Sequence, residues 1–159
     1  MGDSRRFDVF ASFVATQFPN KNLKIADVAG GKGYLALALR EQGYRDITII
    51  DPKRRLKKKV NHRATFLAIP FTETLDRRFD LVLGMHPDEA TDHIIRYSVK
   101  HGSPFVVCPC CIKPSAVAYW GSAKFHLWIA HLKRMAVGFS IREYLLKMSG
   151  KNLVLVGEP

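Results

Sequence analysis

At 159 residues with 47% hydrophobic and 25% charged side chains, the chain has the balance of one ordinary soluble domain, 1–159, large enough to fold without a disulfide or metal. No apolar run reaches the roughly 18–20 residues of a membrane span, and the charged stretch Met1–Phe10 lacks the apolar segment of a secretory signal. The formal net charge of +11 points to a polyanionic partner, RNA above all, because Lys and Arg displace the counterions held by phosphates.

The first element is an amphipathic helix. Phe7, Phe10, Phe13, Val14 and Phe18 recur at helical spacing over residues 4–18, and Pro19-Asn20 closes the segment, so 1–20 forms an N-terminal helical unit. Leu23–Val28 is a short apolar run that breaks into Ala29-Gly30-Gly31, the pattern of a buried strand ending in a tight turn. A helix follows over 34–42, stopped by Gly43. Asp46–Ile50 is the second strand, ending at Asp51-Pro52, and Lys53–Lys59 then packs six Lys or Arg residues into seven positions. Strands are predicted at 64–69 and 79–84, a helix at 88–101 stopped by Gly102, and a strand at 105–108. A mostly helical stretch over 115–148, broken near Gly138-Phe139-Ser140, precedes a sixth and final strand at 153–156.

Strands alternating with helices imply parallel βαβ units with right-handed crossovers. Continuous rather than alternating apolar strands imply a sheet covered on both faces. The fold class is therefore α/β, a Rossmann-like doubly wound, mostly parallel sheet of about six strands, with a cofactor-binding core over 22–112 and late helices plus the last strand over 113–159. A seventh strand is missing from this pattern unless the last residues supply it by another route.

In such sheets, ligands bind beyond the carboxyl ends of the strands. The first strand supplies Asp27 and the turn residues Ala29, Gly30, Gly31 and Gly33; glycine permits the sharp bend and lets a ligand approach the backbone. The next helix offers unpaired N–H groups to that ligand. Asp51, about 20 residues further on, stands where an acid accepts the two hydroxyls of a ribose, although by itself it is also an ordinary strand-end acid. The two features together favour a nucleoside. Gly-Gly-Lys-Gly has neither the spacing of a dinucleotide-binding turn nor the Lys-Ser pair of a P-loop, which weighs against an NAD-dependent oxidoreductase.

Asp27-Val28-Ala29-Gly30-Gly31-Lys32-Gly33 resembles motif I of the class I S-adenosylmethionine-dependent methyltransferases, with Ala29 where the usual form has its first glycine. By that resemblance the cofactor is S-adenosyl-L-methionine. Gly31 and Gly33 would border its methionine moiety, Asp51 would hold its ribose, and Asp27 would act through its charge or ordered water. The loop after the third strand, Pro70-Phe71-Thr72, lacks the acid that often reads the adenine amino group; Ile69 and Phe71 are the candidates to sandwich the ring, or else plain core. Gly84-Met85-His86-Pro87-Asp88-Glu89-Ala90-Thr91-Asp92 and Pro109-Cys110-Cys111 are similar to segments of a branch that includes tRNA 2′-O-methyltransferases, departing from it at Pro87-Asp88. The candidates opposite the methyl group lie after the fourth strand, His86, Asp88 and Glu89, and Met85 before them is expected to bind the cofactor.

His86 is the candidate base, because an unperturbed imidazole titrates near neutrality, with a loop-bound structural histidine as its alternative. Asp88 and Glu89 also suit a helix first turn. Cys110 or Cys111 as a nucleophile is the less favoured chemistry. Three clustered cysteines make no disulfide framework and lack the second spaced pair of a zinc ribbon, so no metal is expected and a reducing, cytoplasmic setting is. The Lys53–Lys59 run reads as a phosphate-contacting rim or as a solvated helix face. Lys124, His126, His131, Lys133 and Arg134 form a second basic group, in which Phe125 and Trp128 read as core before base-stacking platforms. The sequence thus predicts a methyltransferase acting on RNA; its rival is a non-catalytic module of the same fold that binds RNA or a protein.

Overall fold

The computed structural model describes residues 3–60, 62–111 and 124–159. Its elements in chain order are α1 (Arg6–Gln17), β1 (Lys24–Val28), α2 (Tyr34–Glu41), β2 (Asp46–Ile50), β3 (Thr65–Leu67), β4 (Leu81–Met85), α3 (Thr91–His101), β5 (Phe105–Cys108), α4 (Phe125–Met135), β6 (Ser140–Leu145) and β7 (Leu153–Glu158). Single 3-10 turns at Lys58–Val60 and Asp88–Ala90 precede β3 and α3.

All seven strands join one sheet in the order β3-β2-β1-β4-β5-β7-β6. β3, β2, β1, β4 and β5 are parallel, and β7 runs antiparallel to both β5 and β6. The chain winds outward from β1 to β3 and then returns to lay β4 on the other side of β1. Connections leaving β1 and β4 in opposite directions open a crevice at their carboxyl ends.

The predicted α/β class holds, with two corrections. The sheet has seven strands, not six, and the extra one is Ser140–Leu145, inside the stretch read as helical. Within that stretch only Phe125–Met135 is helical among the described residues, and 112–123 lie outside them. β6 escapes a periodicity reading because it is the sheet edge. Only Ile141 and Tyr144 are even half-buried, and Arg142 and Glu143 between them are good helix formers facing solvent. Arg142 pairs with Glu158 on β7, so this edge carries charge, which discourages pairing with another chain.

The sheet is covered on both faces, which explains the continuous apolar strands. One face sends Ile25, Ile49, Leu83, Val106 and Val154 against Phe10, Ala11 and Val14 of α1 and Leu35 and Leu39 of α2. The other sends Ala26, Val82, Val107 and Leu155 against Ile94 and Ile95 of α3 and Trp128, Ile129 and Leu132 of α4. Trp128 is fully buried, so it is core and no base-stacking platform. Gly84 permits the α3 approach, because a Cβ there would stand 2.5 Å from Ile94 Cδ1. The buried Tyr44 hydroxyl donates to the Phe18 carbonyl (2.5 Å) and fixes the end of α1 against the sheet. No helix among the described residues is long and apolar enough to cross a membrane.

Candidate functional site

Backbone strain marks the crevice. Among the described residues, three non-glycine residues have left-handed φ: Ala29 (58°), His86 (55°) and Asp88 (48°). All three lie just past β1 or β4. An L-residue in that region costs about 1–2 kcal/mol, and such conformations concentrate at functional sites.

Gly30 and Gly33 are required by space. A Cβ at Gly30 would fall 2.6 Å from Asp27 Oδ2 and 2.8 Å from Ile49 Cγ2. At Gly33, φ is 78° and a Cβ would meet Val60 at 2.7 Å. The bend brings the Gly31 N–H to Asp51, whose Oδ2 accepts it at 3.0 Å. Asp51 Oδ1 accepts the Lys53 N–H at 2.8 Å, and the Arg55 guanidinium stands 3.9 Å from Oδ2. The two features joined by sequence spacing therefore touch.

Asp27 is buried beneath this turn, with Oδ2 lacking any hydrogen-bond partner among the described residues. Burial, then repulsion from Asp51, pushes its carboxyl up to about 7, against the pull of the Ala36 N–H in the first turn of α2. A cation arriving there finds a carboxylate-in-waiting.

On the β4 side, the His86 N–H is tied to the Cys108 carbonyl (3.1 Å), and the ring Nε2 lies 2.9 Å from the Lys151 carbonyl. A carbonyl accepts only, so Nε2 carries the hydrogen and Nδ1 the lone pair. Burial lowers the imidazole's proton affinity, and Arg6 adds to that; the Lys151 bond and Asp88 oppose them. The ring is accordingly neutral near pH 7. Asp88 Oδ1 accepts the Cys110 thiol at 3.0 Å. Burial and that carboxylate push the Cys110 thiol up, so it does not offer the thiolate a nucleophilic mechanism needs. Cys108 is buried, its thiol raised to about 12.

Two adjoining clefts share Ala29. One, about 270 Å³, is lined by Arg6, Phe7, Asp27, Gly31, Met85 and His86. The other, about 430 Å³, is lined by Asp51, Arg55, Phe71, Pro87, Asp88 and His93 among others. The structure thus gathers Asp27, Ala29, Gly30, Gly31, Met85 and His86 at one cleft and Asp51 and Asp88 at the other. Gly33 and Ile69 line neither cleft: Gly33 turns inward against Val60 and Leu56, and β3 stops at Leu67, leaving Ile69 38% exposed, while Phe71 does line the second cleft.

Arg6, Phe7 and Tyr34 enter the first cleft from α1 and the start of α2, which sequence reasoning did not foresee. The Phe7 position looked like one more apolar helix residue, and nothing in the spacing of Arg6 set it apart. The Lys53–Lys59 run is an extended loop ending in a 3-10 turn rather than a helix face, and all six of its basic residues are exposed. In the second basic group, Lys133 is paired with Glu143, and His131 stacks on Trp128 at 5.6 Å.

A family profile described as a methyltransferase domain matches residues 5–114, over half of the 159-residue chain. No curated protein matches the sequence. Among solved structures, ribosomal protein L11 methylase from Lactobacillus delbrueckii subsp. bulgaricus superposes with a TM-score of 0.69 at 17% identity, covering 99% of this chain and 80% of that one. Magnesium protoporphyrin IX methyltransferase from Synechocystis PCC 6803, with bound S-adenosylmethionine, gives 0.63 at 14% identity, covering 97% and 78%. A glycopeptide N-methyltransferase complexed with S-adenosyl-L-homocysteine gives 0.66 at 15% identity, covering 96% and 90%. At these identities the likeness establishes the fold.

Proposed function

The chain belongs to the methyltransferase domain family, a class of S-adenosylmethionine-dependent enzymes, and from that premise we propose that it methylates RNA. The observation that carries this reading is the continuity of the donor crevice with the basic loop. Lys53 and Arg55 line the cleft that holds Asp51, and Arg54, Lys57, Lys58 and Lys59 continue from it in solvent. A rim of six exposed cations on a chain of net charge +11 suits a phosphate backbone. The resemblance of His86, Ala90-Thr91-Asp92 and Pro109-Cys110-Cys111 to the branch containing tRNA 2′-O-methyltransferases supports the same substrate class.

The residues divide the work. Asp51 and the Gly31 turn receive the ribose side of the donor, and Phe71 and Pro87 give the adenine an apolar wall. Asp27 faces the cationic methionine end, where Met85 and Phe7 exclude water. The donor, when bound, supplies an electrophilic methyl on a sulfonium. His86, neutral and with its Nδ1 lone pair unspent on Lys151, takes the proton that an acceptor hydroxyl or amine sheds on methylation. Asp88, close enough to raise the imidazole's proton affinity, stabilises the imidazolium that results.

The test is transfer of labelled methyl from S-adenosylmethionine to bulk RNA. Label enters the RNA fraction, and Lys57→Glu/Lys58→Glu/Lys59→Glu weakens RNA binding by about tenfold or more and lowers its salt slope by about 2. Label in protein instead, or unchanged RNA affinity in the triple variant, refutes the RNA assignment. RNA binding with no uptake of S-adenosylhomocysteine would favour the non-catalytic module.

A further inference from the structure

We propose that Asp88, Cys110 and Cys111 form a binding site for one thiophilic divalent cation of the zinc class, set at the β4–β5 end of the crevice. From sequence alone the cysteines looked like an incomplete set, because the third ligand comes from another strand. β5 ends at Cys108, Pro109 turns the chain, and Cys110 and Cys111 come to lie against the residue that follows β4 by three positions. One carboxylate oxygen of Asp88 and the two sulfurs all lie within 4.8 Å of one another. Cys110 already donates to Asp88 Oδ1 at 3.0 Å.

Tetrahedral zinc takes sulfur at about 2.3 Å and carboxylate oxygen at about 2.0–2.2 Å, which puts neighbouring ligand atoms roughly 3.5 Å apart. With its ligand atoms no more than 4.8 Å apart, the cluster is within about 1.3 Å of that spacing, a distance that side-chain rotation covers. Two sulfurs and an oxygen make a soft, anionic set suited to zinc rather than to magnesium or calcium. Loading the site forms two metal–sulfur bonds and one metal–oxygen bond, and the two thiol protons leave to solvent. Three protein ligands leave a fourth position open, the arrangement of zinc sites that receive an exogenous oxygen or nitrogen ligand.

The site does not depend on methyl transfer, and its test reads binding alone. The full chain, reduced and stripped of metal, is titrated with cobalt(II) and then zinc. One equivalent of cobalt binds with a thiolate-to-cobalt charge-transfer band, and zinc displaces it. Cys111 is exposed, so Cys111→Ser leaves the fold intact, as unchanged S-adenosylhomocysteine binding would confirm. That variant, and separately Asp88→Asn, weakens zinc binding by about tenfold or more. Absence of the charge-transfer band, or a band unaltered by Cys111→Ser, overturns the site. Binding unaltered by Asp88→Asn overturns the three-ligand assignment.

Discussion

The two rims of the crevice are built in different ways. The rim at β1 and β2 is made largely of backbone: a bend in which Gly30 and Gly33 leave no room for a Cβ, an N–H of that bend on Asp51, and the first turn of α2 over Asp27. Its parts fall within about 25 consecutive residues. The rim at β4 and β5 is made of side chains tied to distant segments: His86 to the Lys151 carbonyl, Cys108 to the same carbonyl, Cys110 to Asp88. The first rim is a fixed local bend, whereas the second is assembled from groups that only the finished fold brings together.

That contrast breaks if the two rims fail to separate experimentally. The largest effect belongs to His86→Ala, expected to lower kcat about 10²–10⁴-fold while leaving S-adenosylhomocysteine affinity within about twofold by calorimetry. Donor binding lost along with the rate would merge the rims into one unit. Asp51→Ala is the mirror case. It removes two bonds to backbone N–H groups and the proposed ribose contacts, so donor affinity falls about 100-fold, and unchanged affinity would remove Asp51 from the binding role.

A pH series sharpens the donor side. The Asp27 carboxyl is raised from 3.8 to about 7 in the folded protein, so its protonated form stabilises the unliganded state. That contribution is complete below about pH 4 and is lost as pH rises through about 7. A cationic donor prefers the ionised carboxylate. Its affinity therefore rises about tenfold per unit between pH 5 and 6 and levels off above about 7, and Asp27→Asn flattens the curve. A wild-type affinity that is flat across this range would show that the donor's charge does not meet Asp27. The smallest effect is Ala29→Gly. Relief of a left-handed alanine stabilises the protein by about 0.5–1 kcal/mol in denaturant unfolding, and a loss of stability would mean that the bend is unstrained.

The parallel half of the sheet and the β1–β2 rim were legible because each signal there is local. Apolar runs ending in Gly or Asp mark strand ends, and the bend and Asp51 are joined by one short helix. β6 was not legible, since an edge strand that buries little carries little periodicity, and Arg142 and Glu143 suit a helix as well. Ile69 lies past the strand end because β3 is shorter than its apolar run, and it lines neither cleft. His86 was found through resemblance, while its tautomer was not, because the carbonyl that sets it lies 65 residues away. Arg6 and Phe7 carry no motif at all; only the packing of α1 brings them to the cleft.

The connection between β6 and β7 is a latch. Within it, Ser149 donates to Asp3 ahead of α1, the Lys151 ammonium rests 4.1 Å over the Phe125 ring of α4, and the Lys151 carbonyl holds both His86 and Cys108. One short surface turn thus fastens His86, the helix that roofs the first cleft and the last helix of the opposite face. Inserting or deleting a residue there would re-aim the imidazole and loosen α1 over the first cleft together, while Asp51 and the Gly31 bend, which the turn does not touch, keep their geometry.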